Sequence, residues 1–196
     1  MQKHLNTVIN IFLGTSLALS IIFFIANIDL PLISMDNIAF SIVLEFIRRL
    51  FTKYNFTKPI NYLLVFLVFF ITLKSIWILS AYYFLAILDS TFIMGITSFI
   101  ISVCFLVVSI KIFSAKSDFI RYHKMLSLGF LIASIKELMW PIILNPLTLA
   151  IVLSIEGVDQ HNIHEIVYYI GNVLSYTSEI IIYSTCIINF VHHRKL

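Results

Sequence analysis

Charged residues are scarce in this chain of 196 residues: Asp, Glu, Lys and Arg make up 12% of it, whereas a soluble domain carries about 25%. Glycine and proline are also few, at five and four residues. Apolar side chains account for 60% of the sequence. A single soluble core of this size buries only about 70% of the surface of the unfolded chain, so large apolar patches would face water. We therefore predict an integral membrane protein whose solvent is the lipid bilayer.

Other shortages narrow the class of protein further. The two cysteines, Cys104 and Cys186, lie inside apolar runs without CxxC or Cys/His spacing, which argues against a disulfide framework or a zinc site. The net charge is only +3 and the basic residues are scattered, so no nucleic-acid surface is expected. No segment is long enough for a soluble catalytic domain, and no nucleophile with a neighbouring base stands out. The sequence predicts a single membrane domain over residues 1–196, without a cofactor or enzymatic activity.

Apolar runs of membrane-spanning length predict an all-α fold, a polytopic bundle of transmembrane helices. In the fourth run, Pro141 and Pro146 are expected to kink or end the helix. Residues 147–155 would then form a short re-entrant or interfacial piece. The runs cover residues 8–26, 60–88, 92–113, 125–155 and 164–191.

The number of spans depends on an amphipathic helix predicted at about residues 36–53. Its polar residues fall on one face, and Glu45 precedes Arg49 by four residues, which suits an ion pair within a helix. If this helix lies flat on the inner surface, the protein has five spans. If it crosses with its polar face turned into the bundle, there are six, and both termini lie on the same side. The lack of Lys and Arg in residues 28–36 favours six.

The distribution of basic residues predicts the orientation. Lys and Arg collect in residues 111–124 and at the C-terminus, whereas residues 145–163 contain acids and no Lys or Arg. Because cytoplasmic loops are enriched in Lys and Arg, the C-terminus is expected in the cytoplasm. The expected location is a bacterial cytoplasmic, or inner, membrane.

Four charged residues are predicted near the bilayer centre: Lys74, Lys136, Glu137 and Glu179. An isolated ion at that depth costs about 2.5–3.5 kcal/mol on insertion scales. The four charges cancel in sign, so we expect them to face one another or a wet cavity. They are either an interhelical network that fixes helix packing or part of an ion or proton path.

The last predicted helix carries a polar stripe at helical spacing that includes Glu179. Against other helices the stripe could form hydrogen bonds, whereas against lipid its amide and carboxylate would be unpaired. In an ion path, Glu179 would be the group that takes up and releases the proton. The stripe consists of Tyr168, Asn172, Ser175, Glu179, Tyr183 and Cys186.

Histidines offer one weak metal candidate. His161 and His164 are three residues apart, beside Asp159 and Glu165 at a predicted helix start, and could share a metal. The alternative, which the pattern favours, is that they and the acids cap and solvate the helix N-terminus.

Two hypotheses about function follow from these patterns. In the first, the protein acts without catalysis by binding another membrane component, as an accessory or regulatory subunit or as an immunity or exclusion factor. In the second, it is a small oligomeric channel or ion-coupled transporter that uses the charges at the bilayer centre. The expected partners are the lipid bilayer and either another membrane protein or a second copy of the chain.

Overall fold

The computed structural model describes residues 2–25, 32–53, 58–84, 90–115, 122–144 and 160–194. Over these ranges the protein is all-α, with six helices and no strand, as the apolar runs predict. In chain order the helices are α1 (Gln2–Ile25), α2 (Leu32–Lys53), α3 (Lys58–Phe84), α4 (Ser90–Phe113), α5 (His123–Leu144) and α6 (Gln160–Arg194).

Three helices contain stretches that are long and apolar enough to cross a membrane. These stretches are Lys58–Ile76 in α3, Gly95–Phe113 in α4 and Tyr169–His192 in α6. A shorter apolar stretch, His4–Leu19, lies in α1. A helix satisfies its own backbone hydrogen bonds, so runs of this length and composition are compatible with a membrane protein.

Two helices differ from their predicted bounds. The amphipathic segment predicted at residues 36–53 is α2, which begins four residues earlier, at Leu32. Helix α5 continues through Pro141, which was expected to kink or end it, as far as Leu144, and Pro146 lies outside the described residues. The interfacial piece predicted at residues 147–155 lies outside the described residues.

The chain divides into two compact units, Met1–Leu88 and Asp89–Leu196. In the first unit, α2 packs against α3, and α1 packs against both. Its core includes Ile9, Leu44 and Leu67, all fully buried, and the rings of Phe12 and Phe69 join α1 to α3 with centroids 4.9 Å apart.

In the second unit, α5 packs against both α4 and α6. Phe105 of α4 and Phe130 of α5 are buried, and their ring centroids are 5.8 Å apart. The single domain expected over residues 1–196 stays a prediction.

Candidate functional site

A buried ion-pair cluster occupies the C-terminal half of α2. The carboxylate of Glu45 accepts two hydrogen bonds from Arg48, at 2.6 and 2.7 Å, and one from Arg49 at 2.7 Å. The side chains of Glu45 and Arg48 are 5% and 2% exposed, whereas that of Arg49 is 43% exposed. Spacings of three and four residues put both guanidinium groups beside one carboxylate.

Helix α1 completes this cluster. Arg48 donates a hydrogen bond to the side-chain oxygen of Asn6, and Arg49 donates one to that of Asn10. The spacing of the charges within α2 is visible in the sequence, but the two asparagines lie about 40 residues away and give no comparable signal. The polar face of α2 is therefore turned into the first unit, where charged and amide groups hold α1 against α2.

Two pairs of serines join α4 to α5 in the second unit. The Ser102 hydroxyl donates to the backbone carbonyl of Ser134 at 2.8 Å, and the Ser134 hydroxyl donates back to the carbonyl of Ser102 at 2.9 Å. Ser109 and Ser127 make the same reciprocal bonds, both at 2.8 Å. The serine with the higher residue number in α4 pairs with the serine of lower residue number in α5, so the two helices are antiparallel. Phe105 and Phe130 lie between the two serine pairs.

These serine pairs were not predicted, although the sequence contains a signal for them. Ser102 and Ser109 are seven residues apart, and so are Ser127 and Ser134. A seven-residue spacing returns a helix to the same face, and small residues at such positions let helix backbones approach closely. Matched spacings in consecutive helices are thus a sign of a shared interface.

Gly129 sets the register between α5 and α6. A Cβ atom at this position would lie 2.7 Å from Ile182 Cγ1 and 3.0 Å from Ile181 Cγ2, so the helices meet where α5 has no side chain. If they were parallel, the end of α5 and the start of α6 would be about 55 Å apart. A parallel pair would need the connection from Leu144 to Gln160, sixteen steps that reach at most about 53–58 Å, to be almost fully extended. The antiparallel arrangement, in which Lys136 is level with Ser175, needs no such extension.

The predicted central charges of the second unit lie at this level. Lys136 Nζ is 3.6 Å from Glu137 Oε1, and their side chains are 21% and 8% exposed. On α6, the Ser175 hydroxyl donates a hydrogen bond of 3.0 Å to Glu179 Oε1. Lys74 is half-buried in α3, in the first unit. The structure thus brings together Lys136 with Glu137 and Ser175 with Glu179, and the joint network of all four charges stays a prediction.

The polar stripe of α6 runs along one side of the packed face. The buried row consists of Ser178, Ile182, Thr185 and Asn189. At 100° per residue, the stripe is rotated by about 90° from that row. Roughly the same angle separates it from the exposed row, which includes Val173, Tyr176, Ile180 and Ile187. The described members of the stripe are half-buried, and we call them the polar flank of α6: Asn172, Ser175, Glu179, Tyr183 and Cys186.

Many hydroxyl groups of the helices bond to their own backbone. Thr72 donates to the carbonyl of Val68 at 2.7 Å, Ser75 to that of Ile71 at 3.0 Å, and Thr185 to that of Ile181 at 2.7 Å. A hydroxyl that bonds four residues back is satisfied within its helix. Among the described residues, no group of three or more His, Cys, Asp and Glu could hold a metal ion. His161 and His164 lie in the first turns of α6, and their side chains fall outside the described part of the structure.

Comparisons of the chain with protein-family models, with curated proteins and with solved structures gave no match.

Proposed function

We propose that this chain is a small, non-catalytic protein of a bacterial cytoplasmic membrane that acts by binding another membrane component, as an accessory or regulatory subunit or as an immunity or exclusion factor. The observation that carries the proposal is the exposure of α6. Only 28% of its apolar span is buried, against 39% and 44% for the spans of α3 and α4. An exposed helix that also carries a carboxylate is suited to a protein partner, because lipid offers that group no counterion.

The polar groups inside each unit support a binding role over a chemical one. Glu45 is bonded to two arginines, the arginines to two asparagines, and the serines of α4 to those of α5. These groups hold helices together, because each has a partner in its own unit. Many polar side chains of the chain therefore serve helix packing, which is expected of a protein whose role is to bind a partner through its surface.

We propose six membrane spans, with both termini in the cytoplasm. Each of the described helices has at least 22 residues, which corresponds to about 33 Å and exceeds the hydrocarbon thickness. Burial of Glu45 and Arg48 within the first unit favours a crossing α2, since a helix lying flat on the surface would present these charges to water. An even number of spans returns the N-terminus to the side of the basic C-terminus.

The alternative, a small channel or ion-coupled transporter, is supported by a different observation. Asn172, Ser175, Glu179 and Tyr183 form a half-buried row along α6, with the Lys136–Glu137 pair at the same level of α5. Hydrogen-bonding groups at successive helical turns can conduct a proton if water reaches them.

Purification in mild detergent from the host membrane, together with flux measurements in liposomes, separates the two functions. Binding predicts a stoichiometric membrane protein that is released by Ile180→Ala on α6 and retained by Ile110→Ala on α4, since these side chains are 65% and 55% exposed. It also predicts no ion flux by the purified chain. A homo-oligomer that conducts ions and binds no other protein would reject the proposal in favour of a channel.

A further inference from the structure

We infer that the polar flank of α6 binds a transmembrane helix of the partner that carries a lysine or arginine at the level of Glu179, an inference that rests on the proposed function. All residues of the polar flank belong to α6. Their polar and charged groups restrict the kind of partner more than the exposed apolar side chains of the same helix do.

Among the charges of the second unit that are predicted near the bilayer centre, Lys136, Glu137 and Glu179, the acids exceed the bases by one. Lys136 and Glu137 neutralise each other, with their charged atoms 3.6 Å apart. Glu179 accepts a hydrogen bond from Ser175. Over the described part of the chain, no Lys, Arg or His forms an ion pair with Glu179. Inside a membrane an ionised group is stabilised by an opposite charge or by water, and lipid tails supply neither.

The position of Glu179 makes the carboxylate accessible to a helix that packs on the exposed row. Tyr176 and Ile180, which lie on either side of it along the helix, are 64% and 65% exposed. A helix laid on these two side chains would cover the carboxylate as well. The Ser175 hydroxyl holds one carboxylate oxygen along the flank, and the other oxygen can accept a hydrogen bond from a cation.

The flank also carries a neutral hydrogen-bonding group beside the acid. Asn172 lies about two turns before Glu179. A charge-assisted bond at the centre, with this amide two turns away, fixes the register of a partner helix. A partner helix with an acid at the same level would be repelled, so the flank selects partners by the sign of their charge.

The test uses single-span, leucine-rich peptides with Lys, Leu or Glu at the central position as probes. The full chain and each peptide are reconstituted in neutral-lipid liposomes, and energy transfer between terminal fluorophores reports binding. The Lys peptide is expected to bind at least tenfold more tightly than the Leu peptide. Glu179→Gln should reduce this ratio to below threefold, and Glu179→Lys should transfer the preference to the Glu peptide.

Two further variants separate charge from structure. Ser184 is exposed and lies on the side of α6 away from the polar flank, so Ser184→Gln introduces the same amide and should leave the preference unchanged. Ser175→Ala removes the hydroxyl that orients the carboxylate, and it should give a ratio between those of the parent and Glu179→Gln. Circular dichroism of each variant shows whether its helices are intact.

Equal binding of the Lys and Leu peptides by the parent protein would overturn the inference, and this comparison requires no variant to fold. Self-association of the chain that Lys74→Met abolishes would also overturn it, because a second copy would then be the occupant. This inference and the proposed function can be rejected independently. If a native partner binds through α6 and Glu179→Gln does not weaken its binding, the proposed function stands and only the basic partner helix is rejected.

Discussion

Single residues differ sharply in what they contribute to the ion-pair cluster of α2. Arg48 and Arg49 are neighbours and share the carboxylate of Glu45, but the first is 2% exposed and the second 43%. Removal of Arg48 takes two buried hydrogen bonds from the Glu45 carboxylate, whereas removal of Arg49 leaves both of these in place and loses an interaction that water screens. The two arginines are therefore a matched pair for measuring the effect of burial.

We expect Arg48→Met to lower the free energy of unfolding by about 3–5 kcal/mol, because the Glu45 carboxylate and the Asn6 side chain would lose a buried donor. Arg49→Met should cost far less. Replacement of both Glu45 and Arg48 by apolar residues should recover much of the loss. Unfolding in mixed detergent, followed by circular dichroism, measures these differences, and equal losses for the two arginines would contradict the role of burial.

A second prediction compares two glycines. At Gly129 a Cβ would meet Ile182 at 2.7 Å, whereas at Gly171 it would meet nothing within 4 Å. Gly129→Ala should lower the free energy of unfolding by about 1–3 kcal/mol, because the clash is with the inner part of an isoleucine side chain. Gly171→Ala should raise it by about 0.5–1 kcal/mol, since alanine favours the helix.

The same detergent unfolding assay checks both glycine variants. Adding Ile182→Ala to Gly129→Ala should restore part of the stability, because the shortened side chain makes room for the new methyl group. If Gly129→Ala proved as stable as Gly171→Ala, α5 and α6 would not be in contact at Gly129.

At the scale of helices, the serine pairs define how α4 and α5 meet. The two hydroxyl oxygens are 3.1 Å apart both between Ser102 and Ser134 and between Ser109 and Ser127. Hydrogen bonds between transmembrane helices contribute about 0.6 kcal/mol on average, so the pairs fix the register more than they add stability. Cysteines at these positions would report that register.

In a chain whose native cysteines are replaced by alanine, the pairs Ser102→Cys with Ser134→Cys and Ser109→Cys with Ser127→Cys should form disulfides under mild oxidation. The control pair, Ser102→Cys with Ser127→Cys, has the same residue types but is displaced by seven residues, or about 10 Å, and should not. Mass spectrometry of tryptic peptides identifies the links. Cross-linking of the control pair as fast as the matched pairs would exclude the antiparallel register.

The positions of the helices were largely predictable from the sequence, whereas the contacts between helices were not. Runs of apolar residues gave the approximate positions of α1, α3, α4, α5 and α6, and periodicity gave α2, because these signals are local. Polar groups extended α6 beyond its apolar run, from Gln160 to Arg194, since a helix can continue into the headgroup region. Asn6 and Asn10 were missed because packing, which brings them to α2, leaves no pattern within either segment.

The candidate site shows the same division. The helical spacing of the α6 stripe is visible in the sequence, and in the structure Ser175 and Glu179 are bonded as four-residue neighbours can be. The stripe's position beside the packed face depends on which side of α6 meets α5. Gly129 and the isoleucines opposite it determine that side. Glycine and isoleucine are both common in apolar helices, so the sequence does not mark this contact.

At the scale of the whole molecule, polarity is distributed unevenly over two units. The first unit buries an ion-pair cluster near one end of α2, and the second unit has uncharged serine pairs in the interface of α4 with α5. The strong, directional contacts within each unit fix helix pairs, whereas the exposed apolar residues of α6 remain for contacts with lipid or a partner. In the proposed membrane protein, the orientation of the chain decides which compartment its loops can reach.

The last prediction tests this orientation with single cysteines in a chain that lacks Cys104 and Cys186. Cysteines at Lys116 and Lys195 should react with a membrane-impermeant maleimide only after the inner face is opened, and one at Asp159 should react in intact cells, because basic segments are retained in the cytoplasm. Reaction at Lys116 in intact cells would show the opposite orientation.

A cysteine at Lys3 tests the number of spans. Protection there is expected for six spans, with α2 crossing the membrane and Glu45 and Arg48 enclosed by the first unit. Reaction from outside would instead give five spans and place α2 along the inner surface.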